Sequence, residues 1–120
     1  MMSKGYPEHH QDVLKMMGDF GVANKGVMGG FAELHKNASK DGVLDAKTKE
    51  LIALAIGVCI RCDGCIAFHM HDAIKAGATH DEIVEALGVA VLMGGGPAMV
   101  YASEALQALK QFEGNGVSAD

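Results

Sequence analysis

Residues 50–71, ELIALAIGVCIRCDGCIAFHMH, join an apolar helical run to a short block holding Cys59, Cys62, Cys65, His69 and His71. Asp45 stands just upstream as a good N-cap. The run from Ala46 to Ile60 then carries Leu51, Ile52, Leu54, Ala55, Ile56, Val58 and Ile60, apolar almost all round. A helix of that kind must be enclosed on every side. The next helix is expected to begin near Cys62 and to stop at Gly77, a natural C′ residue after Lys75.

Outward from this stretch the helical signals continue. Pro7 to Phe20 places Val13, Leu14, Met16, Met17 and Phe20 on a broad face. Val27 to His35 predicts a second helix, weakened by Gly29-Gly30. Asp41-Gly42 marks a turn, and Asp19, Glu33, Lys36 and Lys40 belong to a solvated face. Thr79-His80-Asp81-Glu82 fits a capping box that opens a helix through Val84, Leu87, Val91 and Leu92. Gly94-Gly95-Gly96 ends that helix, and Pro97 suits the first turn of a last one reaching Phe112. The tail GNGVSAD is expected to fray. With period-two alternation absent, the chain is expected to be all-α, about six short helices in one domain over residues 1–120.

Composition narrows the function classes. The 120 residues have a net charge of −5, 5% aromatics and no Trp. That leaves neither the basic footprint of a nucleic-acid or anionic-membrane binder nor a stacking platform for single strands. The first twenty residues contain no uninterrupted apolar segment, so no signal peptide is expected. The longest uncharged run, Ala86 to Ala102, is broken by glycines and falls short of the roughly 20 apolar residues of a membrane span. The expected location is the cytoplasm. Two helices apolar nearly all round exceed what so small a domain can enclose alone, which predicts a homo-oligomer.

Three clustered cysteines do not make a secreted disulfide framework; inside a cell they point to redox chemistry or metal. If a helix opens at Cys62, both sulfurs of the C-x-x-C pair lie in its first turn. Unsatisfied N–H groups and the positive dipole end favour thiolate there. A free thiol has a pKa of about 8.5, and C-x-x-C pairs at helix starts fall to roughly 3.5–7.5. Arg61 pushes the same way and Asp63 opposes it. His69 follows Cys65 by four residues, sharing its face, and is positioned as a base. Glu50 is a candidate to orient that base, directly or through water.

Other assignments compete for these residues. Cys59, Cys62, Cys65, His69 and His71 could supply a Cys3His zinc set or thiolates for an iron–sulfur cluster. Structural zinc draws on two separated pairs, however, and Cys59 reads as a small buried hydrophobe. No metal or cofactor is therefore expected. His71 should point to solvent or a subunit contact, and His9, His10, His35 and His80 read as surface or cap residues.

Glu50, Cys62, Cys65 and His69 together resemble the E-x11-C-x2-C-x3-H signature of the carboxymuconolactone decarboxylase-like family, and more narrowly its alkylhydroperoxidase D-like branch, over roughly residues 30–110. The resemblance implies a helical fold assembled as trimers or hexamers. It also implies an antioxidant thiol peroxidase or disulfide oxidoreductase, acting on a small hydroperoxide and reduced by a dithiol or thiol protein. By the same resemblance Cys65 attacks the peroxide, Cys62, nearer the surface, resolves the product, and His69 with Glu50 relays protons. The best-characterised peroxidases carry a second histidine where this chain has Gly64. Two alternatives are a lactone decarboxylase using His69 and Glu50 without the thiols, and a metal-stabilised oligomer without turnover.

Overall fold

The computed structural model describes residues 5–120, so the expectation about a leader segment falls partly on residues 1–4, outside this range. Among the described residues the chain forms five helices: α1 (Tyr6–Ala23), α2 (Lys25–Ser39), α3 (Ala46–Cys59), α4 (Asp63–Lys75) and α5 (His80–Gly114). Helix α5 is interrupted at Gly95, whose φ of 69° and ψ of −148° are non-helical, so it acts as two helices and the expected six are recovered. By length and composition α5 would suit a membrane span. The break divides it, and its inner face of Ala90, Ala98, Ala102, Ala105 and Ala108 lies in the core.

The core forms where α3, α4 and α5 meet. Leu54 and Val58 of α3 pack with Ile66, Met70 and Ala73 of α4 and with Ile83, Leu109 and Phe112 of α5. The expected caps are present. Asp45 accepts from the Thr48 N–H at 2.8 Å. Thr79 and Glu82 form the reciprocal box at 3.1 and 2.8 Å. Each satisfies N–H groups that the first helical turn leaves unpaired.

Three helices end in Schellman turns, in which two backbone N–H groups fold back onto the last carbonyls. In α4 the Gly77 and Ala78 N–H groups reach the Ile74 and Ala73 carbonyls, and in α5 the Gly116 and Val117 N–H groups reach those of Glu113 and Phe112. In α3 the Arg61 and Cys62 N–H groups reach the Val58 and Gly57 carbonyls at 3.2 and 3.0 Å. The pivot must take positive φ: 97° at Gly77, 81° at Gly116 and 59° at Arg61. A side chain there costs about 1–2 kcal/mol.

Several expectations need correction. Helix α2 runs to Ser39 rather than His35; Asn37 and Ser39 bond back to the Glu33 and His35 carbonyls at 2.9 and 2.6 Å and extend the last turn. None of its residues is buried in the single chain, so the glycine pair interrupts no packed face. The tail does not simply fray: the Asp120 N–H reaches the Lys75 carbonyl at 3.2 Å, and its carboxylate pairs with the Lys75 ammonium at 2.7 Å.

His10 is not a surface residue. Helix α1 docks through Tyr6 and His10, one turn apart, while Leu14, Met16 and Phe20 stay about half exposed. The His10 ring stacks on His71 at 4.3 Å, and its edge meets Phe68 at 4.9 Å. His71 thus packs one face against α1 of its own chain and keeps about a quarter of its side chain exposed. The Tyr6 N–H reaches Gln111 Oε1 at 2.8 Å beside this stack.

Burial is the main cause that makes His10 harder to protonate than a free histidine; His71 acts in the same direction and Asp72 opposes both. The folded state thus favours neutral His10, so this stability is present above the ordinary histidine range and lost as pH falls. The melting temperature is expected to drop between about pH 7.5 and pH 5.5. In His10→Phe, which keeps the ring and removes the titration, circular dichroism melts should show a flatter pH profile.

A methyl group added at Gly57 would stand 3.0 Å from Cys65 Cβ. Overpacking costs about 1–3 kcal/mol, whereas replacing a mid-helix glycine gains at most about 1 kcal/mol. Gly57→Ala should therefore lose about 1 kcal/mol net in urea unfolding. Gly18→Ala, with nothing within 4 Å of the new methyl, should gain stability.

Candidate active site

Cys62 belongs to two helices at once. Its N–H completes the turn that ends α3, at 3.0 Å from the Gly57 carbonyl. It is also the N-cap of α4, its Sγ accepting from the Cys65 N–H at 3.1 Å. Cys62 and Cys65 are joined as a disulfide, with their α-carbons 5.1 Å apart. Both are half-buried. The sulfurs lie at the positive end of the α4 dipole, where negative charge on sulfur is stabilised.

Glycine at 57 lets the first turn of α4 settle onto α3, which brings the two helices' polar groups into register. One turn beyond Cys65, His69 presents Nδ1 to Glu50 Oε1 of α3 at 2.7 Å. Glu50 is buried, at 7% exposure. An ionised Glu50 holds the proton on Nδ1 and leaves Nε2 free to accept another. Cys65 and His69 share a helix face at the four-residue spacing. All four expected residues thus fall at one α3–α4 contact, and Glu50 bonds the imidazole directly, without an intervening water.

A cleft of about 300 Å³ opens beside this pair. Glu50 and His69 line it together with Ile52, Ala53 and Ile56 of α3, while Ala38 and Ser39 close it from the end of α2. His35 and Lys49 also line it; His35 is exposed, as expected, and stands beside the candidate site. A larger cleft of about 420 Å³ lies against His10 and His71, away from Glu50.

The five-residue metal set is not assembled. Two of its thiols share the disulfide, Cys59 Sγ contacts the Ala90 carbonyl at 3.4 Å, and His71 bonds Asp72 at 3.0 Å. A different trio, Glu50, His69 and Asp72, brings its ligand atoms within 4.8 Å of one another. Asp72 was missed from sequence, although its offset of three from His69 places both on one helix face. At Gly64, where the resemblance would place a second histidine, an added Cβ would meet only Val13 Cγ2, at 3.8 Å, an ordinary van der Waals contact.

A profile of the carboxymuconolactone decarboxylase family matches residues 26–108. An uncharacterized protein of Cupriavidus necator is 40% identical over 95 residues, covering 79% of this chain and 84% of the relative. Uncharacterized protein 4 of the cox locus of Paracoccus denitrificans is 37% identical over 98 residues, covering 82% and 88%. The apo crystal structure of a carboxymuconolactone decarboxylase family protein from Legionella pneumophila shares 45% identity at a TM-score of 0.86, covering 89% of this chain and 96% of that one. A family member from Thermotoga maritima, for which an antioxidative role has been suggested, gives 34% identity and a TM-score of 0.68 over 72% and 89%. Helical architecture, motif and relatives agree, and the chain belongs to the carboxymuconolactone decarboxylase family.

Proposed function

We propose that this chain is a thiol-dependent peroxidase and disulfide oxidoreductase with an antioxidant role in the cytoplasm. The observation that carries the proposal is the 2.7 Å bond between Glu50 and His69, on the α4 face that also bears Cys65. A nucleophile, its base and the group that orients the base then follow one another across two packed helices. The antioxidative role suggested for the Thermotoga maritima protein supports the same direction.

In the proposed cycle His69 Nε2 takes the Cys65 proton. The thiolate attacks the outer oxygen of a small hydroperoxide, the O–O bond breaks, and the alkoxide leaves with the proton returned by His69. Cys65 is now a sulfenic acid. Cys62 attacks its sulfur, water departs, and the disulfide forms. An external dithiol or thiol protein then opens that disulfide at Cys62 and carries away the two electrons' worth of oxidation.

The expected signature separates the two thiols. Cys65→Ser should abolish hydroperoxide reduction. Cys62→Ser should complete one turnover and stop at a sulfenic acid that dimedone traps. Glu50→Gln and His69→Ala should slow the peroxide step by about 10²-fold or more, the usual worth of a positioned acid–base group. Unchanged peroxide turnover in Cys65→Ser would contradict the mechanism.

The Glu50–His69 pair also favours a second reading, because it lines its cleft without help from sulfur. Turnover of a carboxylated lactone that persists in the Cys62→Ser/Cys65→Ser double variant would make the protein a decarboxylase.

We also propose a homo-oligomer, a trimer or hexamer. Phe31 and Leu34 of α2, Ile52 and Ile56 of α3, and Leu92 and Met93 of α5 are 46–79% exposed in the single chain. Apolar surface on that scale is covered in soluble proteins by a partner. Light scattering should give a mass several times 12.5 kDa, and Leu92→Glu should lower it.

A further inference from the structure

Arg61 is the only residue other than glycine with positive φ among the described residues. The same Schellman turn closes α3, α4 and α5, and two of its three pivots are glycine. The pivot next to the cysteines is instead a long cationic side chain in a conformation that disfavours it. Backbone strain of this kind persists where a side chain is needed for something else. Arg61 is exposed, and among the described residues its guanidinium has no carboxylate partner. Its neighbour Ile60 is 64% exposed. Beyond it stands Cys62, the sulfur at which an incoming thiol would open the disulfide. The chain as a whole carries a net charge of −5, and Arg61 is its one arginine.

We propose that Arg61 is a specificity residue for the reductant, and that the reductant is a thiol bearing a carboxylate near its sulfur. The planar guanidinium suits a carboxylate in bidentate fashion, and Ile60 offers apolar surface for the reductant's carbon skeleton. The inference rests on the disulfide exchange proposed above. The reductant's thiolate attacks Cys62 Sγ, the Cys62–Cys65 bond breaks, and its electron pair leaves on Cys65. A second equivalent attacks the mixed disulfide, releasing Cys62 as thiolate and the reductant as its own disulfide. The protein gains two electrons and two thiol equivalents of reductant are oxidised.

The test uses the oxidised full chain with three small thiols of similar size: 3-mercaptopropionate (anionic), 2-mercaptoethanol (neutral) and cysteamine (cationic). Disulfide opening is followed by alkylation quench and mass spectrometry. Comparing each variant with wild type for one thiol at a time cancels the thiols' intrinsic reactivities. Arg61→Gln should slow 3-mercaptopropionate about fivefold at low salt, the reach of an exposed charge pair. It should change 2-mercaptoethanol much less, through the lost bias toward thiolate at the cysteine pair alone, and speed cysteamine relative to it. The contrast should fade near 1 M salt, where the Debye length is about 3 Å. Arg61→Lys should keep most of the anion preference, and Arg61→Gly should lose it while melting at a higher temperature. Equal effects of Arg61→Gln on all three thiols would assign Arg61 to the chemistry of the Cys62 sulfur and overturn the recognition role, as would no effect on any. A wild-type disulfide that none of the thiols opens would overturn the exchange chemistry, and this role with it.

Discussion

Gly57 faces Cys65 across the α3–α4 contact with only a hydrogen where any other residue would place a methyl group. That close approach fixes the distance between the two helices and, with it, the rest of the site. Glu50 and Gly57 are two turns apart on α3, and Cys65 and His69 one turn apart on α4. Once Gly57 seats Cys65, Glu50 meets the imidazole at 2.7 Å. The core behind this contact, from Leu54 and Val58 through Ile66 and Met70, is fully buried and holds the helices in register.

Cys62 links redox state to architecture. It ends one helix with its N–H and starts the next with its sulfur. A thiolate is a better acceptor for the α4 N–H groups than a neutral thiol, so the cap and the helix dipole both favour the ionised sulfur that disulfide exchange requires. The strained pivot at Arg61 belongs to the same junction. Close packing at Gly57, a left-handed turn at Arg61 and capping at Cys62 thus fall within six residues, and Cys65 follows three positions later.

Much of this was legible in the sequence because it depends on local rules. Asp45, Thr79 and Glu82 announced helix starts, Gly77 a helix end, and the spacing of Cys62, Cys65 and His69 a shared helical face. What stayed hidden depends on long-range partners. Nothing in the amphipathic pattern of α1 shows that it docks through Tyr6 and His10 while its apolar stripe stays open. The stack of His10 on His71 joins helices far apart in the chain. No residue preference signals arginine in a left-handed turn, and the lining of the cleft by the end of α2 follows from packing alone.

The most direct test is the ultraviolet thiolate absorbance of the fully reduced protein at neutral pH, compared between wild type and His69→Ala. If the imidazole held by Glu50 serves the cysteine pair, reduced wild type should carry a full equivalent of thiolate and the variant should lose most of it. The same small thiolate fraction in both, as expected of ordinary thiols with a pKa of about 8.5, would contradict the account.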